Sequence, residues 1–333
     1  MKKLEMHCHS NRSDGANTPQ EVITEAQRLD LDFLALTDHD VISPQSLQKQ
    51  LQSSGIQSCD SVEISARNYE LWKSLHLVSY AKKFKKSLHD ILDASRAWKL
   101  DMKLGQIKKL VDEQGFIASD TWFEEFLVKK WRTLWGSNKW DLARYLARNP
   151  DNRVKMKYIL WELLVDNDLV GDFYQECFKR EGKLYEQYGY EVPEYEPSVQ
   201  ESVYEVTQKS GWLISLAHPY VTFDERKGGL DEFSRTVEDY VIKWVRWIEI
   251  NSMTPLEWIR PILEVREKYD LILTFWSDCH AIGYDGRDGK HSTIGHLSHN
   301  LLGLWETFSD NYNNWESFTQ VYFDKFQKAI WIN

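Results

Sequence analysis

Hydrophobic residues along this chain fall into short runs of strand character, separated at first by stretches of helical period. Lys3-Leu4-Glu5-Met6-His7-Cys8-His9 alternates, so His7 and His9 share one face and Cys8 takes the other. Phe33-Leu34-Ala35-Leu36-Thr37 is a continuous apolar run, as expected of a buried parallel strand. Further strands are expected at Ser61–Ser65, Leu75–Tyr80, Trp212–Ala217, Trp247–Asn251 and Leu271–Trp276. Between the first two runs, Thr18-Pro19-Gln20-Glu21 reads as a helix start, with Thr18 as N-cap, Pro19 in the first turn and Glu21 closing a capping box. Val22, Ile23, Ala26 and Leu29 give that helix its apolar stripe, and Ser43-Pro44 opens another short helix. Alternating strands and helices with polar residues at the strand ends predict an α/β fold that carries its chemistry at the carboxyl ends of its strands.

The pattern changes between about Lys85 and Thr207, where helical periodicity dominates over 87–114, 120–147, 151–168 and 169–188. Arg148-Asn149-Pro150 breaks two of these helices, and Pro193 and Pro197 bracket a short acidic linker. The expected organisation is a strand-rich domain formed by residues 1–84 and 196–333, with residues 85–195 as a mostly helical insertion.

With 333 residues the chain can bury a large core, and its four scattered cysteines argue against a disulfide framework or a zinc knuckle. No stretch approaches the ~18 consecutive apolar residues of a membrane span, and the start lacks a secretory pattern, so a soluble, cytoplasmic protein is expected. The net charge of -10 argues against a general nucleic-acid coat. The charge is uneven: residues 82–157 hold 18 Lys and Arg against 10 Asp and Glu, a surplus of +8, which leaves -18 on the rest. A basic segment in an acidic chain suits an anionic ligand.

Nine residues near strand ends are His, Asp or Glu: His7, His9, Asp14, His39, Glu63, His76, His218, Asp278 and His280. Taken singly, His76 reads as a core histidine and Asp14, before Gly15, as a turn residue. Together they form an ordered set of nitrogen and carboxylate donors without thiolate, which suits Zn, Mn or Fe as divalent ions. Nine donors exceed the needs of one ion; shared carboxylates would let them hold two or three.

His7-Cys8-His9, Ser13-Asp14-Gly15, Leu36-Thr37-Asp38-His39-Asp40, Glu63-Ile64-Ser65, Leu75-His76-Leu77, Ala217-His218-Pro219 and Ser277-Asp278-Cys279-His280 together resemble the PHP (polymerase and histidinol phosphatase) family of metal-dependent phosphoesterases. The resemblance implies a distorted (β/α)7 TIM-like barrel with a trinuclear metal site. It points to the subgroup with Asp in the third position and a helical insertion after the fourth strand, whose members hydrolyse small phosphorylated nucleotides or short RNA ends. Asn138–Leu146 (N-K-W-D-L-A-R-Y-L) looks like that subgroup's helix entry, closer there to RPHFARAL, with Lys139 in place of Arg and Asp141 where His is common.

Carried over, one ion is held by His7, His9, Glu63 and Asp278, a second by Glu63, His76 and His218, and a third by Asp14, His39 and His280. Glu63, His218 and Asp278 are the expected catalytic residues. The implied reaction is attack of a metal-activated hydroxide on phosphorus, with inorganic phosphate as product. Arg132, Lys139, Arg144 and Arg148 are the candidate substrate contacts, Arg144 foremost because a guanidinium grips phosphate with two parallel bonds. The expected partner is a small phosphorylated substrate, a nucleotide or short RNA end, with neither membrane nor stable nucleic-acid complex. The alternatives are an amidohydrolase-like metal hydrolase and a non-catalytic metal-binding module. Asp38 is expected to point away from the ions in a supporting role. Cys8 and Cys279 are expected behind the first and last strands, and His291, His296 and His299 are expected not to bind metal.

Tryptophan is over-used, with 15 residues. Trp247 and Trp276 stand in slots where the family usually has Gly, and Trp72 and Trp135 stand in loop-like contexts. One reading is that the source decodes UGA as Gly; the other is an aromatic-rich core.

Overall fold

The computed structural model describes residues 4–70, 73–129, 133–161, 163, 168–191, 195–209, 213–223, 229–243, 245, 247–251, 254–283 and 293–294. Trp72, Arg132, His291, His296 and His299 lie outside the described residues. The chain divides into two units: residues 1–10, 15–93 and 196–333, and residues 11–14 and 94–195.

Among the described residues the first unit holds seven strands: β1 (Leu4–Cys8), β2 (Phe33–Leu36), β3 (Asp60–Asn68), β4 (Lys73–Ala81), β5 (Leu213–Leu216), β6 (Trp247–Asn251) and β7 (Ile272–Trp276). They form two sheets, a parallel pair β1-β2 and a five-stranded sheet in the order β3-β4-β5-β6-β7. The mixed α/β architecture expected is present, and the seven-stranded arrangement is split into two sheets with no closed ladder around it among the described residues. Among the described residues, isolated bridges join the sheets, Cys8 to Cys279 at one seam, and Phe33 to Gln57 and His39 to Glu63 at the other. The reason is local: β1 and β2 have five and four residues, and a register shift between Glu5 and Cys8 interrupts even their own ladder. The third and fourth strands, expected in succession, pair antiparallel as β3 and β4 over nine residues each, and β4 pairs antiparallel with β5.

Three apolar layers support these strands. Met6, Phe33, Ala35, Val78, Tyr80, Ala217, Trp247 and Trp276 form a cluster drawn from the strands and their ends. Its one phenol is satisfied, because Tyr80 Oη donates to Met6 O at 2.8 Å. Trp247 and Trp276 are 1% and 5% exposed within this cluster, so both indoles act as core. A second layer joins Cys8, Leu34, Leu36 and Cys279 to the buried faces of α1 (Pro19–Arg28) and α2 (Gln45–Ser53). Cys8 and Cys279 thus lie behind the first and last strands as expected, and all four cysteines are free. The third layer packs Val62, Ile64, Leu75 and Leu77 against Leu88, Phe233 and Ile262. Helix α1 begins with the expected capping box: Thr18 Oγ1 accepts from Glu21 N, and Glu21 Oε2 accepts from Thr18 N.

The second unit is helical. Helix α3 (Lys86–Gln114) enters it, followed by α4 (Asp120–Val128), α5 (Lys139–Leu146) and α6 (Pro150–Ile159). The single helix expected over 120–147 is two. Asn138 caps α5 in a reciprocal box with Asp141, which requires non-helical backbone at that point. The helix expected over 169–188 is interrupted as well: Leu169–Phe173 runs into a π turn at Tyr174–Phe178, and a helical turn resumes at Tyr185. At Gly182 between them a Cβ would meet Glu176 O at 2.3 Å, so only glycine lets the backbone pass. Leu110, Phe123, Leu142, Leu146, Met156 and Phe173 fill this unit's core. Lys103 is buried there, its ammonium donating to Ser137 O at 2.6 Å and Leu134 O at 3.1 Å. Burial pulls its pKa down to about 7.

Candidate metal centre

Glu63, in the middle of β3, is the hub of the site and is fully buried. Its Oε2 lies 3.3 Å from His7 Nε2, 3.2 Å from His9 Nε2 and 3.1 Å from His39 Nδ1. Its Oε1 lies 3.1 Å from His76 Nδ1 and 3.0 Å from His218 Nε2. The five imidazoles encircle the carboxylate, with successive ring centroids 4.7–5.7 Å apart from His9 through His39, His76, His218 and His7, and 5.2 Å from His7 back to His9. His280 stacks on His9 at 4.2 Å.

The fold brings these side chains together by different routes. His7 and His9 share a face of β1 and its exit. His39 follows β2, and its backbone bridges to Glu63. His76 faces the hub from the hairpin partner strand, where it sits opposite Ser65. His218 and Asp278 follow β5 and β7 with φ of +26° and +51°, a region costly for any residue but glycine. Asp40, next to His39, adopts a similar φ of +53°. Asp278 Oδ1 is 3.4 Å from both His7 Nε2 and His9 Nε2. Asp14 falls in the segment 11–14 grouped with the helical unit.

Burial would raise the pKa of Glu63, but His39, His7, His76 and His218 hold it well below the ordinary carboxylate range. Burial likewise opposes charge on His7, yet Glu249, Glu63 and Asp278 raise it well above the usual imidazole value. His218 is raised for a similar reason: burial opposes it, and the hydrogen bond to Glu63 and nearby carboxylates overcome that.

The donor set fits divalent ions. Glu63 Oε2 has no hydrogen-bond partner, although three imidazole nitrogens lie within 3.3 Å of it. His7 Nε2 and His9 Nε2 face each other at 3.2 Å, and His76 Nδ1 and His218 Nε2 at 3.4 Å. Two imidazole nitrogens this close need a proton or a metal cation between them. Donors bound at ~2.0–2.1 Å around a tetrahedral ion stand about 3.3 Å apart, close to the spacings seen here. The triplets His7–His9–Glu63, His7–His218–Asp278 and His39–Glu63–His76 each converge closely enough to share an ion. His7, His9, Glu63, His218 and Asp278 form a buried floor, while His39, His76 and His280 have side chains 20%, 33% and 19% exposed and make the rim.

Other expected residues play supporting parts. Asp38 accepts from Ser10 N and Ser10 Oγ, both at 2.7 Å, and so fastens the turn after His9. In the helical unit, Lys139 is engaged internally: its ammonium donates to Phe178 O at 3.1 Å and lies over the Tyr185 ring. Burial pulls its pKa down to about 8. Arg144 and Arg148 are exposed, over the rings of Trp140 and Phe126.

Sequence reasoning missed two carboxylates. Glu249, fully buried in β6, places Oε2 2.8 Å from His7 Nδ1. Glu5 in β1 accepts from His7 N at 3.2 Å and Ser277 N at 3.3 Å. The available signal was a single acid inside an apolar strand, Trp-Ile-Glu-Ile-Asn or Leu-Glu-Met-His, which must find a partner once buried.

The fold and this centre agree with what the chain resembles. Residues 5–128 match the PHP domain model. Over 75 residues the chain is 29% identical to a phosphoribosyl 1,2-cyclic phosphate 1,2-diphosphodiesterase from Eggerthella lenta, covering 22% of this chain and 29% of that protein. Over 78 residues it is 37% identical to a 5'-3' exoribonuclease from Haemophilus influenzae, covering 23% and 28%. The aligned segments thus span less than a third of either curated relative. Among solved structures, an amidohydrolase from Chromobacterium violaceum with bound sulfate and no metal superposes with TM-score 0.64 at 20% identity, over 92% of this chain and 96% of that one. A metal-dependent phosphoesterase from Bifidobacterium adolescentis superposes with TM-score 0.63 at 19% identity, over 91% and 96%. These likenesses establish a shared fold. The phosphodiester- and RNA-cleaving activities are those of the named relatives. No helix among the described residues is long and apolar enough to cross a membrane.

Proposed function

We propose that this protein is a metal-dependent phosphoesterase acting on small phosphorylated substrates, nucleotides or short RNA ends. The observation that carries the reading is the buried Glu63 carboxylate ringed by five imidazoles, with one oxygen left without a hydrogen bond. The relatives named for cyclic phosphodiester and RNA cleavage support the substrate class. The +8 surplus of residues 82–157 favours an anionic ester over a neutral amide.

In this reading His7, His9, Glu63 and Asp278 hold one ion, Glu63, His76 and His218 a second, and His39, His280 and Asp14 a third. Bound divalent ions supply Lewis acidity towards the phosphoryl oxygens and lower the pKa of water to about 7. The chain's own residues do the rest. Glu63 stays ionised because its imidazole neighbours keep its proton affinity low. The buried floor excludes bulk water, and the more open His39, His76 and His280 line the approach. Arg144 and Arg148, exposed on the helical unit, are the proposed phosphate contacts. Arg132 and Lys139 are proposed as further contacts, Lys139 through an ammonium that also donates to Phe178 O.

Screening phosphomonoesters and phosphodiesters with Mn²⁺ tests the proposal. Turnover of a nucleotide or an RNA end, abolished by chelation and restored by metal, is expected. No turnover of any ester by protein shown to hold metal overturns it in favour of a metal-binding module.

A further inference from the structure

Glu249 touches two of the residues at this centre at once. Its Oε2 lies 2.8 Å from His7 Nδ1, and its Oε1 accepts from the backbone N–H of His218 at 3.3 Å. His7 and Glu249 are both fully buried. The three residues come from separate places in the chain: β1, β6 and the turn after β5. His218 is the residue with φ of +26°.

We infer that Glu249 is a positioning residue that fixes the His7 ring and the His218 turn together, so that both imidazoles present their Nε2 atoms to Glu63. The inference rests on the metal-centre reading above and adds a residue to it. The chemistry is specific. An ionised carboxylate accepts hydrogen bonds and cannot donate, so the proton of a neutral His7 belongs on Nδ1. Nε2 then keeps its lone pair, and this atom lies 3.3 Å from Glu63 Oε2 and 3.4 Å from Asp278 Oδ1. The second oxygen takes the amide of His218 and ties down a backbone turn that would otherwise relax away from the left-handed region. His218 Nε2, 3.0 Å from Glu63 Oε1, depends on that turn for its aim. One carboxylate thus braces the proposed ligands of two different ions.

Glu249→Gln tests the brace with almost no change in volume. The amide has a single acceptor oxygen, so it cannot serve both His7 Nδ1–H and His218 N–H. If its NH₂ faces His7, the imidazole proton must move to Nε2, the atom that should meet the ion. The probe is Mn²⁺ alone, with free ion followed by electron paramagnetic resonance and bound stoichiometry by elemental analysis. Wild type should bind at least two ions. Glu249→Gln should weaken the tightest class by ~10- to 100-fold, the usual effect of losing a partner that orients a metal-binding histidine.

Two further variants separate aim from folding. Glu249→Asp keeps both acceptor oxygens and should bind Mn²⁺ more tightly than Glu249→Gln, whereas a role in packing alone would leave the isosteric Gln near wild type and make the shorter Asp the weaker of the two. In a His7→Ala background, Glu249→Gln should cost clearly less than it does in wild type, because the His7 half of its effect is already gone. Unchanged Mn²⁺ affinity in Glu249→Gln overturns the inference, as does a full-sized loss in the His7→Ala background. Wild-type protein that takes up no Mn²⁺ instead overturns the metal reading itself.

Discussion

His218 Nε2 lies 3.0 Å from Glu63 Oε1 across 155 residues of sequence. This contact draws the resumed strands of the second half onto the hub set in β3. Removing the hub should empty the centre. Glu63→Ala is expected to lose bound metal on gel filtration, His7→Ala to retain it with measurably weaker affinity, and both to reduce phosphoesterase turnover, Glu63→Ala by ~10³-fold or more, as befits loss of groups that hold the charge-stabilising ions. Retained turnover in Glu63→Ala after chelation and dialysis would contradict the assignment.

Metal affinity should depend on pH through the same side chains. The carboxylates raise the proton affinity of His7 and His218, so an entering ion must displace protons from them. Apparent Mn²⁺ affinity is therefore expected to fall about tenfold per pH unit for each displaced proton as the solution is acidified. Without metal, the raised histidines contribute stability that is fully present below about pH 6.5 and lost as pH rises through their folded values. The lowered Glu63 contributes stability present above about pH 4.5 and lost as pH falls through its folded value. The gap in Tm between metal-loaded and chelated protein should widen from about pH 6 to about pH 8. A constant gap in calorimetric scans would count against the shifts.

Lys103 gives the helical unit its own pH dependence. Its folded pKa of about 7 lies below the ordinary 10.5, so between these values the unfolded chain binds more protons than the folded one. Stability should accordingly rise with pH, by up to about 1.4 kcal/mol per unit in the window from about pH 7 to 9. Comparing urea denaturation of wild type and Lys103→Met across that window isolates the contribution. Equal slopes would show that Lys103 titrates normally.

Trp247 should matter as core. It is 1% exposed among Met6, Val78, Tyr80 and Trp276, and its removal leaves a cavity that the rigid strands cannot fill. Trp247→Ala is expected to cost ~3–5 kcal/mol in urea denaturation, and Trp247→Gly somewhat more. A gain in stability from Trp247→Gly would instead show that the position is built for glycine, as recoding of UGA would have it.

Much of the site was legible because its chemistry sits in short motifs at the ends of apolar runs. His-x-His, the Thr-Asp-His-Asp turn, the lone Glu63 and the Ser-Asp-Cys-His end of the last strand each carry their meaning locally. So do the first helix, whose capping box needs only Thr18 and Glu21, and the outward turn of Cys8, which needs only strand alternation and is met by its burial beside Val22 and Leu36. Other features depend on where distant backbone lies. The antiparallel β3–β4 hairpin, the open seams between the two sheets, the burial of Lys139 against Phe178 and the split of the 120–147 helix at Asn138 all follow from packing that periodicity does not encode. Glu249 shows the difference most sharply. In sequence it is one acid in an apolar strand; in the fold it stands between His7 and His218, because parallel pairing of β6 with β5 and with β7 carries it to the floor of the site. The sequence by itself determined which donors this protein has. Tertiary structure decided which of them share an edge, since hydrogen bonds of about 3 Å are set by the register of neighbouring strands and not by distance along the chain.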